Sequence, residues 1–179
     1  MTDPRARSIR KAVVDTGPLL SALVLDYVRA SPPTRHDSIL SQSRISDYLL
    51  ESKAHQIAFL QLFDAIRIVL TTSNVVGEVQ GLQSLRDQYQ REFWLGGMRL
   101  LRRKNLDERL IRLLDLESDD RLRQAISVIG PTDTGLVELA RQEQCVLLTD
   151  DRELRWRARA QGVESELVKD LVSRRKSSR

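Results

Sequence analysis

Cysteine, histidine and aromatic residues are rare in the sequence. Its one cysteine, Cys145, excludes a disulfide framework, and with only two histidines, His36 and His55, it cannot form a Cys/His zinc site. Aromatic residues make up 4% of the chain, too few for the base-stacking surfaces of RRM or OB modules. The motifs G-x-x-x-x-G-K-[ST], G-x-G-x-x-G and G-x-S-x-G are absent, and no local signal marks a Ser-His-Asp arrangement.

Long hydrophobic runs are also missing. No apolar run approaches the roughly 20 residues of a membrane span, and the start "MTDPRARSIRK" leads into no apolar signal segment. At 41% hydrophobic and 30% charged residues, a chain of this length buries roughly 70% of its unfolded surface as one domain. We therefore expect a cytoplasmic protein without a membrane partner, with one domain over 1–172 and a basic tail at 173–179.

Positive charge is in slight excess and is clustered. Lys and Arg number 29 against 25 Asp and Glu, and basic residues concentrate at 98–104, 155–159 and 173–179. The distribution points to a nucleic-acid partner more than the net charge of +4 does. The candidate phosphate contacts are Arg102, Arg103, Arg155 and Arg157. The alternatives are a structural or dimerising helix at 98–104 and a solvated end at the tail.

Short apolar strands alternate with helical patterns. The predicted strands are 12–14, 66–72, 145–149 and 163–168, and the predicted helices are one after Gly17-Pro18, then 45–66, one from Ser73, 106–130 with a break around 117–120, one from Pro131, and 151–162. This order predicts the α/β class, with a mostly parallel sheet covered by helices on both faces.

Acidic residues stand where ligands bind in such folds, outside the carboxyl ends of the strands. Asp15 ends the first strand, and Asp150 and Asp151 end the third. Glu78 lies in the helix after the second strand, and Asp133 begins the helix before the third. Adjacent carboxylates repel each other, and more strongly at the low-dielectric end of a buried strand. A positive partner is therefore expected at this edge.

Each acid also has a simpler interpretation. Asp133 and Asp151 suit helix N-termini as caps, and Glu78 alone could be a surface residue. Together, carboxylates at one edge suit a hard divalent cation such as Mg²⁺ or Mn²⁺, which prefers oxygen ligands and retains waters. Such an ion activates a water and stabilises the charge that develops during phosphodiester hydrolysis.

Four segments resemble the acidic motifs of PIN-domain ribonucleases, the family that includes VapC-type toxins. They are "VVDTGPLLSAL", "TTSNVVGEV", "GPTDTGLVELARQEQCVLLTDDREL" and "RARAQGV". The resemblance covers about 11–25, 66–92 and 128–168. It does not account for 98–123 or for 26–65, which would be an enlarged helical insertion between the first two motifs.

The resemblance implies a small three-layer α/β/α sandwich and metal-dependent cleavage of single-stranded or structured RNA. Its four acids correspond to Asp15, Glu78, Asp133 and Asp151 as catalytic and metal-binding residues. Asp150 would be an additional metal ligand, and Thr16 and Thr149 would be accessory residues. The implied partners are RNA, a cognate antitoxin-like protein and a second copy of the chain in a homodimer.

Two other hypotheses stay open. A PIN-fold protein could bind RNA or a partner protein without cutting. A receiver-like or small-molecule phosphotransfer domain would need a phosphoacceptor aspartate with a lysine beyond a later strand, and Lys169 follows "VESELV". Metal-dependent RNA cleavage that is lost in Asp15→Asn separates the three.

Overall fold

A five-stranded, all-parallel sheet forms the centre of the protein. The structure is a computed structural model that describes residues 9–82, 87–111 and 120–177. The strand order is β3-β2-β1-β4-β5. The strands are β1 (Lys11–Val14), β2 (Ile68–Thr72), β3 (Asp107–Arg109), β4 (Val146–Thr149) and β5 (Ser165–Leu167).

Helices connect and cover these strands. They are α1 (Thr16–Ala30), α2 (His36–Gln42), α3 (Asp47–Glu51), α4 (Lys53–Ala65), α5 (Ser73–Leu82), α6 (Asp87–Arg103), α7 (Asp120–Gln142), α8 (Arg152–Ala160) and α9 (Val168–Ser177), with a 3₁₀ turn at Pro33–Arg35. On one side of the sheet α1 packs against α4, α5 and α6, and α4 packs against α9. On the other side α7 contacts β1, β2 and β4, and α8 contacts β4 and β5. The predicted three-layer α/β/α class is confirmed.

The central strands are apolar because helices cover both faces of the sheet. Ala12, Val13 and Val14 of β1 are fully buried, and every residue of β4 is buried. β1 lies between β2 and β4, with Ala12 opposite both Val69 and Val146. Burial on this scale is the main stabilising contribution, at roughly 25 cal/mol per Å² of apolar surface.

The structure corrects part of the predicted helix at 106–130. Residues 107–109 form the edge strand β3, which pairs with β2 through Leu70 and Asp107. Pairing with an existing strand outweighs local helical preference in so short a segment. The break expected around 117–120 falls almost entirely outside the described residues.

Two further segments differ in detail from expectation. The insertion 26–65 holds the end of α1, the 3₁₀ turn and the helices α2, α3 and α4. Residues 173–177, expected in a basic tail, continue α9. Across the described ranges, no helix combines the length and apolar character that a membrane crossing requires.

Candidate functional site

The candidate site lies where the strand order reverses. After β1 the chain builds β2 and then β3 on one side, and it returns to place β4 on the other side of β1. In open α/β sheets, ligands bind in the crevice at the carboxyl ends of the strands at such a reversal. Asp15 follows β1 directly, and Asp150 follows β4. The Asp15 N–H donates to the Leu148 carbonyl at 3.0 Å, so the two strand ends stay in register.

Asp15 is held by hydrogen bonds to both carboxylate oxygens. Oδ1 accepts from the Thr16 N–H at 2.6 Å, and Oδ2 accepts from the Thr149 hydroxyl at 2.6 Å. Burial raises the pKa of Asp15 above the ordinary value, and the charges of Glu78 and Asp151 add to the rise, although the two hydrogen bonds oppose it. The carboxylate is therefore fixed in position, and its charged form is destabilised first by burial and then by the neighbouring acids.

A second threonine orients Glu78. This glutamate lies on α5, which begins directly after β2. Its Oε2 accepts from the Thr16 hydroxyl at 2.6 Å. Thr149, which is fully buried, also accepts the Asp151 N–H at 2.9 Å. Thr16 thus joins Asp15 to Glu78 through its N–H and its hydroxyl, and the Thr149 hydroxyl joins Asp15 to the backbone of Asp151.

A kink in α7 places Asp133 near the other acids. Gly130 has φ 81°, outside the helical range, and Pro131 follows it, so the helix restarts there. Asp133 lies in the first turn of this second half. Burial raises its pKa to about 7, and the charges of Asp15, Asp151 and Glu78 contribute in that order. The structure thus brings the four predicted acids within electrostatic reach of one another.

Asp151 also has the capping role considered for it. Its Oδ1 accepts from the N–H groups of Glu153 at 2.7 Å and Leu154 at 3.2 Å, at the N-terminus of α8. Such a cap contributes about 1 kcal/mol to stability. The capping interpretation and the cluster interpretation therefore both apply to this residue.

Asp150 has a different environment from the other acids. Its Oδ2 accepts a short hydrogen bond from the Ser46 hydroxyl, next to α3. Burial raises the pKa of Asp150, although this bond and the N–H and charge of Lys169, on α9, oppose the rise. The Oδ1 atom of Asp150 and the hydroxyl of Tyr48 are both buried, and neither makes a hydrogen bond of ordinary geometry. Burial and the charge of Asp150 raise the pKa of Tyr48. Asp150 fastens the insertion to the edge of the sheet through Oδ2, and its role as an additional metal ligand stays a prediction.

Ser46 and Tyr48 also belong to this edge and were not predicted from the sequence. Ser46 is 104 residues from Asp150 along the chain. Neither residue carries a local pattern that would indicate the contact.

The four acids have no basic partner in the described part of the chain. None of Asp15, Glu78, Asp133 and Asp151 forms an ion pair there. Over the same residues, no three His, Cys, Asp or Glu side chains are already arranged as ligands of one ion. The all-oxygen donor set and the uncompensated negative charge fit Mg²⁺ or Mn²⁺ chemically. The ligand geometry, however, is not preformed.

The predicted phosphate contacts divide between two edges of the sheet. Arg103 ends α6 and pairs with Asp26 at 3.0 Å. Asp26 lies about 15 Å along α1 from Thr16, since a helix rises 1.5 Å per residue. Arg102 and Arg103 therefore lie toward the amino edge, away from the acids. The next residue, Lys104, lies at the same edge, because its carbonyl accepts the Val69 N–H near the start of β2.

Arg155 and Arg157 lie on α8, the helix that Asp151 caps. Arg157 donates to Glu153 at 2.6 Å, and Arg155 lies 3.7 Å from Asp170. Both predicted phosphate contacts therefore lie on α8, the helix whose N-terminus is capped by Asp151 of the acid cluster.

No protein-family model matches the chain, and no curated protein matches it. The PIN-domain resemblance therefore depends on the motif residues alone.

Proposed function

We propose that this chain is a metal-dependent endoribonuclease that hydrolyses phosphodiester bonds of single-stranded or structured RNA. The observation that carries the proposal is the acid cluster, in which four carboxylates influence one another electrostatically and have no basic partner among the described residues. These like charges come from distant parts of the sequence, so local structure does not gather them, and a bound cation is the simplest reason to bring them together. The motif resemblance supports the same activity.

Asp15, Glu78, Asp133 and Asp151 would hold the Mg²⁺ or Mn²⁺. When bound, the ion supplies a more acidic water and neutralises the charge that develops on the phosphate. Thr149 and Thr16 keep Asp15 and Glu78 oriented through their 2.6 Å hydrogen bonds. Burial and the neighbouring carboxylates raise the pKa of Asp133 to about 7, so a bound cation would favour its charged form.

A specific observation favours a second candidate, a PIN-fold protein that binds RNA or a partner protein without cutting. Glu78 and Asp151 each have an oxygen engaged in a short hydrogen bond inside the protein. No ligand triad is preformed in the described ranges. The phosphotransfer alternative has less support, because one oxygen of Asp150 is enclosed and the other is bonded to Ser46.

Purified protein and end-labelled RNA test the proposal. We expect cleavage with Mn²⁺ or Mg²⁺, none with EDTA, and a loss of about 100-fold or more in Asp15→Asn, the scale of removing one catalytic electrostatic contact. Asp15→Asn prepared identically also controls for contaminating nucleases. Cleavage that persists in this variant, or a wild type that binds RNA but never cuts it with either metal, would rule out the proposed activity.

A further inference from the structure

The outward face of α8 carries an unusual set of side chains. Residues 152, 155, 156 and 159 recur at three- and four-residue spacing, so they share one face of the helix. They are Arg152, Arg155, Trp156 and Arg159. On the core side, Leu154 and Ala158 are 1% and 0% exposed. The helix thus presents one tryptophan among three arginines to the outside.

Trp156 is exposed although its ring is large and apolar. Its exposed fraction is 61%, and the guanidinium of Arg157 lies 5.0 Å from the ring centroid. Grooves of about 220 and 410 Å³ flank it, and Trp156 lines both. An exposed indole between two grooves is available to stack with a planar ligand.

The charge of the larger groove favours a phosphate-bearing ligand. Its lining consists of the four residues of the α8 face together with Leu167 and Asp170. Arg155 pairs with Asp170 at 3.7 Å through Nη1, and its side chain is 27% exposed although its Nε is buried. In the same ranges Arg152 has no ion-pair partner, whereas Arg159 is engaged by Glu166 at 3.1 Å. The donors of Arg152 therefore remain for phosphate oxygens, and the partly exposed guanidinium of Arg155 adds positive charge beside them.

The helix that carries this face begins at the acid cluster. Asp151 caps α8 and lies in that cluster. Trp156 follows five residues later, a rise of about 7.5 Å along the helix. At about 3.4 Å per stacked base, a strand reacting at the acids would reach Trp156 about two nucleotides away.

We infer that Trp156 is a base-stacking residue for single-stranded RNA, with Arg152 and Arg155 contacting the flanking phosphates. This inference rests on the proposed function and specifies the form of its substrate. In a duplex the faces of the bases are covered by their neighbours, so a stacking residue selects unpaired nucleotides. Arg157 positions the indole from one side.

RNA binding measured in EDTA tests this inference separately from cleavage. The probe is a labelled uridine oligonucleotide of about 10 nucleotides, within the usual span of single-strand sites, and a duplex of the same length is the comparison. The variants are Trp156→Ala and Trp156→Phe, and Leu95→Ala is the matched control because Leu95 is 53% exposed on α6. Fluorescence anisotropy gives the affinity, and tryptophan quenching reports stacking.

We expect Trp156→Ala to weaken single-strand binding about 5- to 150-fold, the usual range for one stacked base. Trp156→Phe should retain most of the affinity, and Leu95→Ala all of it. Single-strand RNA should quench the wild type more than Trp156→Phe. Arg152→Gln should make the log–log salt slope shallower by about 0.7.

Unchanged affinity in Trp156→Ala, or equal binding of duplex and single strand, would overturn the inference whatever the cleavage assay shows. The absence of any binding to single-strand RNA by the wild type would overturn it too. Binding that depends on Trp156 without any metal-dependent cleavage would support the inference and refute only the proposed nuclease activity.

Discussion

Replacing Asp133 with asparagine should stabilise the metal-free protein at alkaline pH. The pKa of Asp133 rises from 3.8 to about 7 in the folded state, so the folded protein binds this proton more tightly than the unfolded chain does. The free energy of unfolding therefore falls as pH rises from about 4 to about 7, and the full penalty applies above that. An asparagine side chain carries no charge at any of these pH values, so the Asp133→Asn variant avoids the penalty.

The size of the effect follows from the same values. A tenfold change in proton affinity is about 1.4 kcal/mol, so the upper limit is about 4 kcal/mol. The carboxyl is partly exposed and water screens it, so we expect about 1–2 kcal/mol. For a chain of this length that raises Tm by about 2–8 °C. Near pH 4 the wild type and variant should melt at nearly the same temperature, because Asp133 is then protonated in the folded wild type.

Thermal melts in EDTA across this pH range provide the measurement. Asp37→Asn is the matched control, because Asp37 is at least partly exposed in the first turn of α2. The Asp37→Asn variant should lose up to about 1 kcal/mol of stability, because its negative charge no longer interacts with the helix dipole. It should not become more stable than the wild type at high pH. The inferred repulsion between Asp133 and the other acids is wrong if Asp133→Asn melts below the wild type at about pH 8. It is also wrong if the difference in Tm between the two proteins is the same at both ends of the pH range.

Adding metal extends the same experiment. With Mn²⁺ at about ten times its Kd, the wild type should gain about 1.4 kcal/mol by linkage. Asp133→Asn should gain much less, since it has lost a ligand and a negative charge. Equal gains in both proteins would remove Asp133 from the proposed metal site.

Other variants test neighbouring parts of the structure. Ser46→Ala should destabilise the fold by about 1–3 kcal/mol in chemical denaturation, because Asp150 loses a buried hydrogen-bond donor. Unchanged stability in this variant would contradict the described contact. Arg103→Gln should cost at most about 1 kcal/mol through its exposed pair with Asp26. It should also leave the salt dependence of RNA binding unchanged, and a shallower slope would return this arginine to the RNA surface.

Local sequence patterns predict the α/β class and the position of the acids. Asp15 and Asp151 follow short apolar runs and precede helices, so the positions of both at the carboxyl edge follow from strand polarity alone. Asp133 could be placed because Gly130 and Pro131 mark a helix start. These signals all lie within a few residues of the acid they locate.

Features that depend on distant contacts could not be predicted. The edge strand β3 forms only because β2 is available for pairing. The partner of Asp150 is Ser46, in a segment whose own pattern says nothing about the sheet. The charges of Arg102 and Arg103 suggest RNA binding, but the direction in which α6 runs places them at the other edge. Charge composition therefore suggests a class of partner without locating the surface that would bind it.

The short outer strands of the sheet limit how this chain can associate with other chains. Among the described residues, both edge strands, β3 and β5, are three residues long, and β3 carries only the charged residues Asp107, Glu108 and Arg109. A strand added by another chain would find few main-chain hydrogen bonds at either edge and a charged rim at one of them. Continuous sheets across a dimer and fibre-like stacking are therefore disfavoured. A second copy or an antitoxin-like partner would instead bind through the helical layers, where side-chain shape rather than main-chain pairing determines recognition.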